Sequence, residues 1–282
     1  MKYTAINLEE ALMVAEHLRS MGGATWFRGQ TRSWPLLSSF VRRTPTEQSA
    51  AVERLGRFGD WLQSVSALAS IAADEDAALA VAQHYGLATN LVDFSTEPRV
   101  AAFFATHSSP PPQEGEDLSC IICLNYEELW KCWDLVRLAR PEMREPRAIK
   151  VAIPELWRIQ AQRGVFLEYQ FDVSFEKRIF NFDRIVFPTE RNPAVLARLI
   201  PEEDIYPTQK SDLEIHPDQY FMLERVHENT RLFLESSPID VIHLETLPDG
   251  IETACFGARG LPVHESWEPG RLAEWLNLEE EH

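Results

Sequence analysis

The chain lacks any long apolar run. None of its 282 residues belongs to a hydrophobic stretch close to the roughly 20 residues that a membrane-spanning helix needs. Its first residues, MKYTAINLEEALM, also lack the apolar region of a secretory signal. These absences predict a soluble, cytoplasmic protein that does not associate with a membrane.

Cysteine is scarce as well. The four cysteines, Cys120, Cys123, Cys132 and Cys255, are too few and too scattered for a disulfide framework. Cys120 and Cys123 form a CxxC within LSCIICLNY, a pattern typical of a buried strand, which would point the two side chains to opposite faces. Since no second CxxC or close histidine pair is present, we predict structural cysteines and no metal site.

Positively charged residues are also few relative to negatively charged ones. Asp and Glu outnumber Lys and Arg by 44 to 27, so the formal net charge is −17. Such an acidic surface disfavours bulk binding of nucleic acid but allows a local basic pocket. Arginine outnumbers lysine by 22 to 5. Arginine suits fixed recognition of phosphate or carboxylate, although high-GC codon usage produces the same bias.

The composition is otherwise that of a globular protein, with 45% hydrophobic and 10% aromatic residues. A first helix is predicted over residues 7–21, where Asn7 and Glu10 form a capping-box pattern. Residues 47–84 are alanine-rich and helical, and Gly56 and Gly59 are candidate breaks.

Strand patterns follow the helical ones without a regular βαβ rhythm. This mixture predicts an α+β fold with a mixed or antiparallel central sheet and flanking helices. We expect one domain over residues 1–235. Residues 236–282 alternate strand and turn signals, end in a short helix and an acidic tail, and are expected to pack on the same core as an extension.

Three short stretches place polar residues in apolar surroundings. They are ATWFRGQ around residues 28–30, AQHYGLATNLVDFST over residues 82–96, and RIQAQR over residues 158–163. Buried polar groups need partners, and an Arg28–Asp93 ion pair is a purely structural solution. That pair leaves the glutamines unexplained, so we predict that the three stretches border one polar cleft.

The same stretches carry a resemblance to a known family. WFRGQ, then AQHYG, then a strand ending in LVDF, then RIQAQRGVF resemble, in order, the FRG domain, a bacterial and phage family named for its Phe-Arg-Gly motif. The likeness covers roughly residues 20–225. Asn90 and Phe94 depart from it, since arginine and an aromatic such as tryptophan are commoner there. The resemblance implies an intracellular prokaryotic protein linked to phage defence or toxin-like modules.

A weaker resemblance is to ADP-ribosyltransferases. It rests on three motifs in the same order. The first is Phe27-Arg28-Gly29, and the second is Phe94-Ser95-Thr96, followed by a helix that ends at residues 101–105. The third is Gln160-Ala161-Gln162, which precedes a glycine and a phenylalanine. This likeness implies that Arg28 binds the phosphate or ribose of NAD and that Ser95 holds the nicotinamide ribose. Glutamine occupies both positions where a catalytic glutamate is expected.

That departure opens two alternatives for the chemistry. A neutral amide does not stabilise a positively charged transition state, and loss of such a term commonly costs about 2.7–4 kcal/mol. Either His84 or Asp93 carries the chemistry, or the scaffold binds a nucleotide without turnover. A histidine titrates near neutral pH and can serve as acid or base. His84 is alternatively an ordinary hydrogen-bonded histidine at a helix end.

The predicted site follows from these arguments. The candidate catalytic residues are His84, Asp93 and Gln162. The candidate ligand-binding residues are Arg28, Gly29, Gln30, Gln83, Ser95, Thr96 and Gln160.

Three functions remain open from the sequence. The first is an enzyme or binder of a nucleotide, with NAD as a candidate substrate and no cofactor assigned, within a defence or toxin-like system. The second is a non-catalytic sensor or interaction module, for which a protein partner from the same system is expected. The third is a nuclease, for which clustered carboxylates and a basic face would be needed; the sequence supplies neither clearly.

Overall fold

The described part of the chain confirms the α+β prediction. A computed structural model describes residues 1–107, 118–139, 141, 144–168, 182–199, 201–236, 239–246 and 252–258. Over these residues the chain forms a seven-stranded mixed sheet, a separate two-stranded sheet and ten α-helices. It divides into two compact units, Met1–Pro217 and Asp218–His282. The predicted boundary near residue 235, and the packing of the extension on the same core, stay predictions.

The larger sheet belongs to the first unit. Its strands are β1 (Lys2–Thr4), β2 (Trp26–Gln30), β3 (Leu91–Ser95), β4 (Leu118–Leu124), β5 (Arg147–Ile149), β6 (Gly164–Glu168) and β7 (Asp183–Pro188). Their order across the sheet is β1-β7-β4-β2-β3-β6-β5. β1 and β7 are parallel, and the other neighbouring pairs are antiparallel.

Helices connect these strands. They are α1 (Leu8–Ser20), α2 (Pro45–Ser64), α3 (Ala69–Ala72), α4 (Glu75–His84), α5 (Pro98–Thr106), α6 (Tyr126–Ala139), α7 (Trp157–Ala161), α8 (Pro193–Leu199), α9 (Glu202–Ile205) and α10 (Asp212–Ser236). None of the described helices is both long and apolar enough to cross a membrane.

The start of α1 follows the predicted capping pattern. The Asn7 side-chain oxygen accepts the Glu10 backbone N–H at 2.9 Å, and the Glu10 carboxylate accepts the N–H of Ile6 at 2.6 Å. These bonds satisfy donors that the first helical turn leaves without partners. The sequence signal therefore placed this helix correctly to within a residue.

The predicted glycine breaks in the alanine-rich segment are wrong. α2 runs through both Gly56 and Gly59, and the interruption comes later, at the 3₁₀ turn Ser66–Leu68. An exposed helical glycine costs only about 1 kcal/mol relative to alanine. A full capping box at Thr44 and Glu47, together with buried positions such as Phe58, outweighs that cost.

The sheet is covered on both faces. α1 and α5 pack on one face with Phe27, Ile121 and Cys123, whereas the opposite face packs α6 against residues that include Cys120. The prediction that the CxxC side chains point to opposite faces is confirmed. Burial, with a smaller contribution from the Asp183 charge, raises the pKa of the Cys123 thiol. The buried thiol is therefore neutral at physiological pH.

The centre of the sheet contains a local opening. β2 pairs with β4 along its whole length, and β3 does the same with β6. Between β2 and β3 the single paired position is Phe27 with Ser95. Beyond that position the two strands separate, and the backbone groups facing the opening need other partners.

Gly29 sets how closely α5 approaches β2. A Cβ at this position would lie 1.8 Å from the Ala101 carbonyl oxygen and 2.5 Å from the Ala105 nitrogen. Both atoms belong to the helix backbone, which cannot move without shifting α5 as a whole. Gly29 therefore permits a close approach between β2 and the α5 backbone.

The second unit contains a β-hairpin. β8 (Ile239–Thr246) pairs antiparallel with β9 (Glu252–Ala258), with an irregularity between Val241 and His243. This agrees with the strand signals in the last part of the sequence. The predicted terminal helix and acidic tail lie outside the described residues.

Replacement of Gly29 by alanine tests the contact between β2 and α5. Because the new methyl group would overlap helix backbone, Gly29→Ala should lower the free energy of unfolding by about 2 kcal/mol or more. Gly56→Ala is the matched control, since nothing lies within 4 Å of that position; it should raise stability by about 0.5–1 kcal/mol. Urea unfolding measures both variants, and equal stability of Gly29→Ala and the wild type would contradict the close packing.

Candidate functional site

A cavity lies where β2 and β3 separate. Its volume is about 160 Å³, and the ends of α4 and α7 and the inner side of α5 border it. Seven of the ten predicted site residues line it, namely Arg28, Gly29, Gln83, His84, Asp93, Ser95 and Gln162. The structure thus brings the three polar stretches of the sequence together.

Arg28 and Asp93 form the central contact. The Arg28 Nη1 atom lies 2.5 Å from Asp93 Oδ1 and donates to the Asp93 backbone carbonyl at 2.7 Å. The guanidinium therefore bonds to a β3 carbonyl at the point where β2 no longer pairs with it. This is the ion pair that the sequence analysis offered as a structural solution.

The electrostatic balance at Asp93 favours the ionised form. Burial by itself raises the pKa of this carboxyl, but the Arg28 charge and hydrogen bonds from Arg28, the Asp93 backbone and Gln83 outweigh it. Together they hold the pKa of Asp93 below its ordinary value. The side chain nevertheless remains 48% exposed, whereas Arg28 is 17% exposed.

Gln83 links α4 to this ion pair. Its amide nitrogen donates to Asp93 Oδ1 at 3.3 Å, and its amide oxygen accepts the Thr89 hydroxyl at 2.6 Å. The next residue, His84, ends α4 and packs edge-on against the Tyr85 ring, with centroids 5.8 Å apart. His84 lines the cavity, and its acid–base role stays a prediction.

Ser95 and Gln162 meet across the floor of the cavity. The Ser95 hydroxyl donates to the Gln162 backbone carbonyl at 2.8 Å and accepts the Glu97 N–H at 3.0 Å. A hydroxyl has one proton and two acceptor positions, so Ser95 can only accept a hydrogen bond from a ligand. The Gln162 amide nitrogen donates to the Ile205 carbonyl at 3.4 Å.

Three of the predicted site residues lie outside the cavity lining. Gln160 donates to the carbonyls of Val151 and Ile153, at 3.3 and 3.2 Å. Thr96 is exposed, and Gln30 is buried in the sheet. Gln30, Thr96 and Gln160 are therefore not part of this cavity's lining, and a role for them in ligand binding stays a prediction.

Arg158 and Tyr206 are among the residues of the cavity lining that were not predicted as site residues. The Arg158 guanidinium carbon lies 4.7 Å from the centre of the Tyr206 ring and 5.9 Å from that of Tyr85. The Arg158 backbone N–H donates to the Glu214 carboxylate at 2.8 Å. Arg158 belongs to a stretch that the sequence singled out, whereas Tyr206 follows α9 with no local signal that places it here.

The sequence comparison covers the segment that contributes β2, α4 and β3 to the cavity. The model of the FRG domain matches residues 23–114. The chain contains an FRG domain. The match covers β2, α4 and β3, so Arg28, Gln83, His84, Asp93 and Ser95 all belong to it.

The remaining cavity residues lie beyond the matched range. Arg158, Gln162 and Tyr206 follow residue 114, although the resemblance noted in the sequence extended to about residue 225. Searches of curated proteins and of solved structures found no match to the chain. The likeness to ADP-ribosyltransferases therefore stays a prediction.

Asp93→Asn tests the ion pair through its pH dependence. At neutral pH the substitution should lower the free energy of unfolding by about 1–3 kcal/mol. Loss of an exposed ion pair costs ~0–1 kcal/mol and the breaking of a buried pair ~3–5 kcal/mol, and this half-buried pair lies between the two cases. A carboxylate with a lowered folded-state pKa stabilises the fold above its unfolded pKa of about 3.9, and this stabilisation is lost as the pH falls through the folded-state pKa.

The difference between wild type and Asp93→Asn should therefore be complete near pH 7 and should shrink below about pH 4. Urea unfolding across this range measures it. Asp134→Asn is the control, because Asp134 pairs with Arg137 on the surface of α6 with 71% of its side chain exposed. A difference for Asp93→Asn that stays constant down to pH 2 would contradict the assignment.

Proposed function

We propose that this FRG domain-containing protein binds a nucleotide-like small molecule, NAD or a close relative, in the cavity beside Arg28. The observation that carries the proposal is the convergence of polar side chains from three distant segments on one cavity at a break in a central sheet. Cavities with apolar walls and a few convergent polar groups are the usual sites for small ligands.

The chemistry of the walls supports this class of ligand. Two guanidinium groups, those of Arg28 and Arg158, offer donors to phosphate or ribose oxygens. Ser95 offers an acceptor to a ribose hydroxyl. Phe104, Phe166 and Tyr206 contribute aromatic surface on which a base or nicotinamide ring can stack.

The size of the cavity limits how much of the ligand it encloses. A volume of about 160 Å³ is below the roughly 300–1,000 Å³ of typical ligand pockets and close to the ~150 Å³ that holds a benzene ring. One ring or one sugar therefore fits inside. The rest of a dinucleotide would extend outward past the residues at the mouth.

The same residues favour binding over turnover. Among the described residues that line the cavity, Asp93 is the sole acidic side chain, and Arg28 already neutralises it. Gln162 stands where a catalytic glutamate was expected and is uncharged. Binding without turnover is therefore the leading form of the proposal.

Cleavage of NAD is the second candidate, and one observation favours it. The Asp93 carboxylate is about half exposed, with its pKa held low. An ionised carboxylate beside the cavity could stabilise positive charge that develops on a ribose. A role in phage defence or as a toxin-like effector, with a protein partner from the same system, is part of the proposal and rests on the FRG domain alone.

The nuclease alternative finds no further support. Within the ranges that the structure describes, no group of three or more His, Cys, Asp or Glu side chains is arranged to hold a metal ion. The experiment below nevertheless keeps it as a separate outcome.

Incubation of the purified protein with NAD tests the proposal. Binding at a free concentration 100 times the Kd should stabilise the fold by about 2.7 kcal/mol and raise the Tm. Arg28→Ala should abolish the increase, because it removes one of the two guanidinium groups at the cavity and leaves Asp93 unpaired at the opening between β2 and β3. Arg99→Ala is the control, since Arg99 is exposed on α5 outside the cavity lining and should leave the increase unchanged.

Chromatography of the reaction mixture separates the alternatives. Unchanged NAD with a higher Tm supports binding, whereas release of nicotinamide that Arg28→Ala abolishes supports cleavage. Mg²⁺-dependent degradation of DNA or RNA would instead favour the nuclease. Circular dichroism verifies that Arg28→Ala folds, and Arg28→Lys, which keeps the charge, replaces it if it does not. No Tm increase and no loss of NAD would contradict the proposal.

A further inference from the structure

The two guanidinium groups at the cavity differ in how they are neutralised. Arg28 has both the carboxylate and the backbone carbonyl of Asp93 within hydrogen-bonding distance of its Nη1 atom. Arg158 forms no ion pair with any described carboxylate. With one paired and one unpaired arginine, the charged residues that line the cavity sum to one positive charge when His84 is neutral.

The donors of Arg158 are largely unused. Its Nε atom, like that of Arg28, is buried and has no hydrogen-bond partner among the described residues. The charge lies over two aromatic rings instead, at 4.7 Å from Tyr206 and 5.9 Å from Tyr85. Rings stabilise a cation without consuming its N–H groups. Because buried donors are normally satisfied, the arrangement has room for an acceptor that the protein itself does not supply.

The position of Arg158 is fixed through its backbone. The Glu214 carboxylate belongs to a residue that is 5% exposed, and it accepts the backbone N–H of Arg158 at 2.8 Å and that of Ser211 at 3.4 Å. The Glu214 carboxylate thus bonds to the main chain and leaves the guanidinium available. The guanidinium itself is held against the rings of Tyr206 and Tyr85, so it should lose little entropy when it binds an anion.

We infer that Arg158 binds a phosphate group of the ligand, whereas Arg28 mainly holds Asp93 and the opening between β2 and β3. The planar guanidinium matches the geometry of phosphate oxygens. The site attracts an anion locally even though the whole protein carries a net charge of −17. This inference rests on the proposed function for the nature of the ligand, and it reassigns the phosphate contact that the sequence resemblance gave to Arg28.

Calorimetric titration with three probes tests the assignment. The first probe is NAD. The second is inorganic pyrophosphate, which has phosphate groups but no base or sugar, and the third is nicotinamide riboside, which has a base and a sugar but no phosphate. Arg158→Gln should weaken the binding of NAD and of pyrophosphate by about 10- to 100-fold, as expected for loss of a charged hydrogen bond. It should leave the Kd of nicotinamide riboside within about twofold, because the ring and ribose contacts remain.

Two further variants make the result specific. Arg99→Gln removes the same charge from an exposed position outside the cavity lining and should leave all three Kd values unchanged. Arg158→Lys keeps the positive charge but lacks the paired donors of the guanidinium, so its affinity for pyrophosphate should lie between those of the wild type and Arg158→Gln. It also serves as the test variant if Arg158→Gln does not fold.

The outcomes separate this inference from the proposed function. If the wild type binds pyrophosphate but not NAD or the riboside, and Arg158→Gln does not bind pyrophosphate, the nucleotide proposal fails and the phosphate site stands. If the wild type binds NAD and Arg158→Gln binds it equally well, the inference is wrong and the nucleotide proposal survives. Equal weakening of the riboside also overturns the inference, and binding of none of the probes overturns both.

Discussion

The contact between Arg28 and Asp93 governs the architecture of the site. A central sheet that opens between two neighbouring strands exposes backbone carbonyls, and one buried without a partner costs about 1–3 kcal/mol. Arg28 meets that requirement because its Nη1 atom reaches both the carbonyl and the carboxylate of Asp93. Without it, β2 and β3 would have to close, or water would have to fill the opening. The cavity can therefore persist because the Arg28 side chain, in place of a β2 backbone group, bonds to the β3 carbonyl of Asp93.

Residues of β2, α4 and β3 around this ion pair fix the positions of the other elements that border the cavity. Gly29 lets the α5 backbone approach the strand, which puts the apolar face of α5 on one side of the cavity. Gln83 joins the end of α4 to Asp93, and Ser95 joins β3 to the turn after α7. Gln83 and Ser95 thus line the cavity and also hold two elements together. A substitution here affects stability and ligand contacts at once, which is why charge-matched controls outside the cavity are needed.

Local sequence signals predicted individual secondary-structure elements better than they predicted which side chains face the cavity. The cap at Asn7 and the buried strand that carries the CxxC depend on neighbouring residues, and both were predicted from the sequence. Whether a polar side chain faces the cavity depends on register and on distant partners. Gln160 and Gln162 are two positions apart, yet only Gln162 lines the cavity. Tyr206 reaches Arg158 through tertiary packing, so no pattern around it could reveal that contact.

The neutrality of Gln162 connects the charge of the cavity to its function. A glutamate there would add a second carboxylate to the cavity lining, cancel the excess positive charge and weaken the attraction for a phosphate. Asp93 cannot easily take over such a glutamate's catalytic role, because turning it toward a substrate would break its bond to Arg28 and unsettle the opening between β2 and β3. Among the described residues of the cavity lining, the one carboxylate is thus engaged in a structural contact, and the proposed ligand would meet the uncompensated charge of Arg158. This division of charge favours a site that holds an anionic molecule over one that cleaves it.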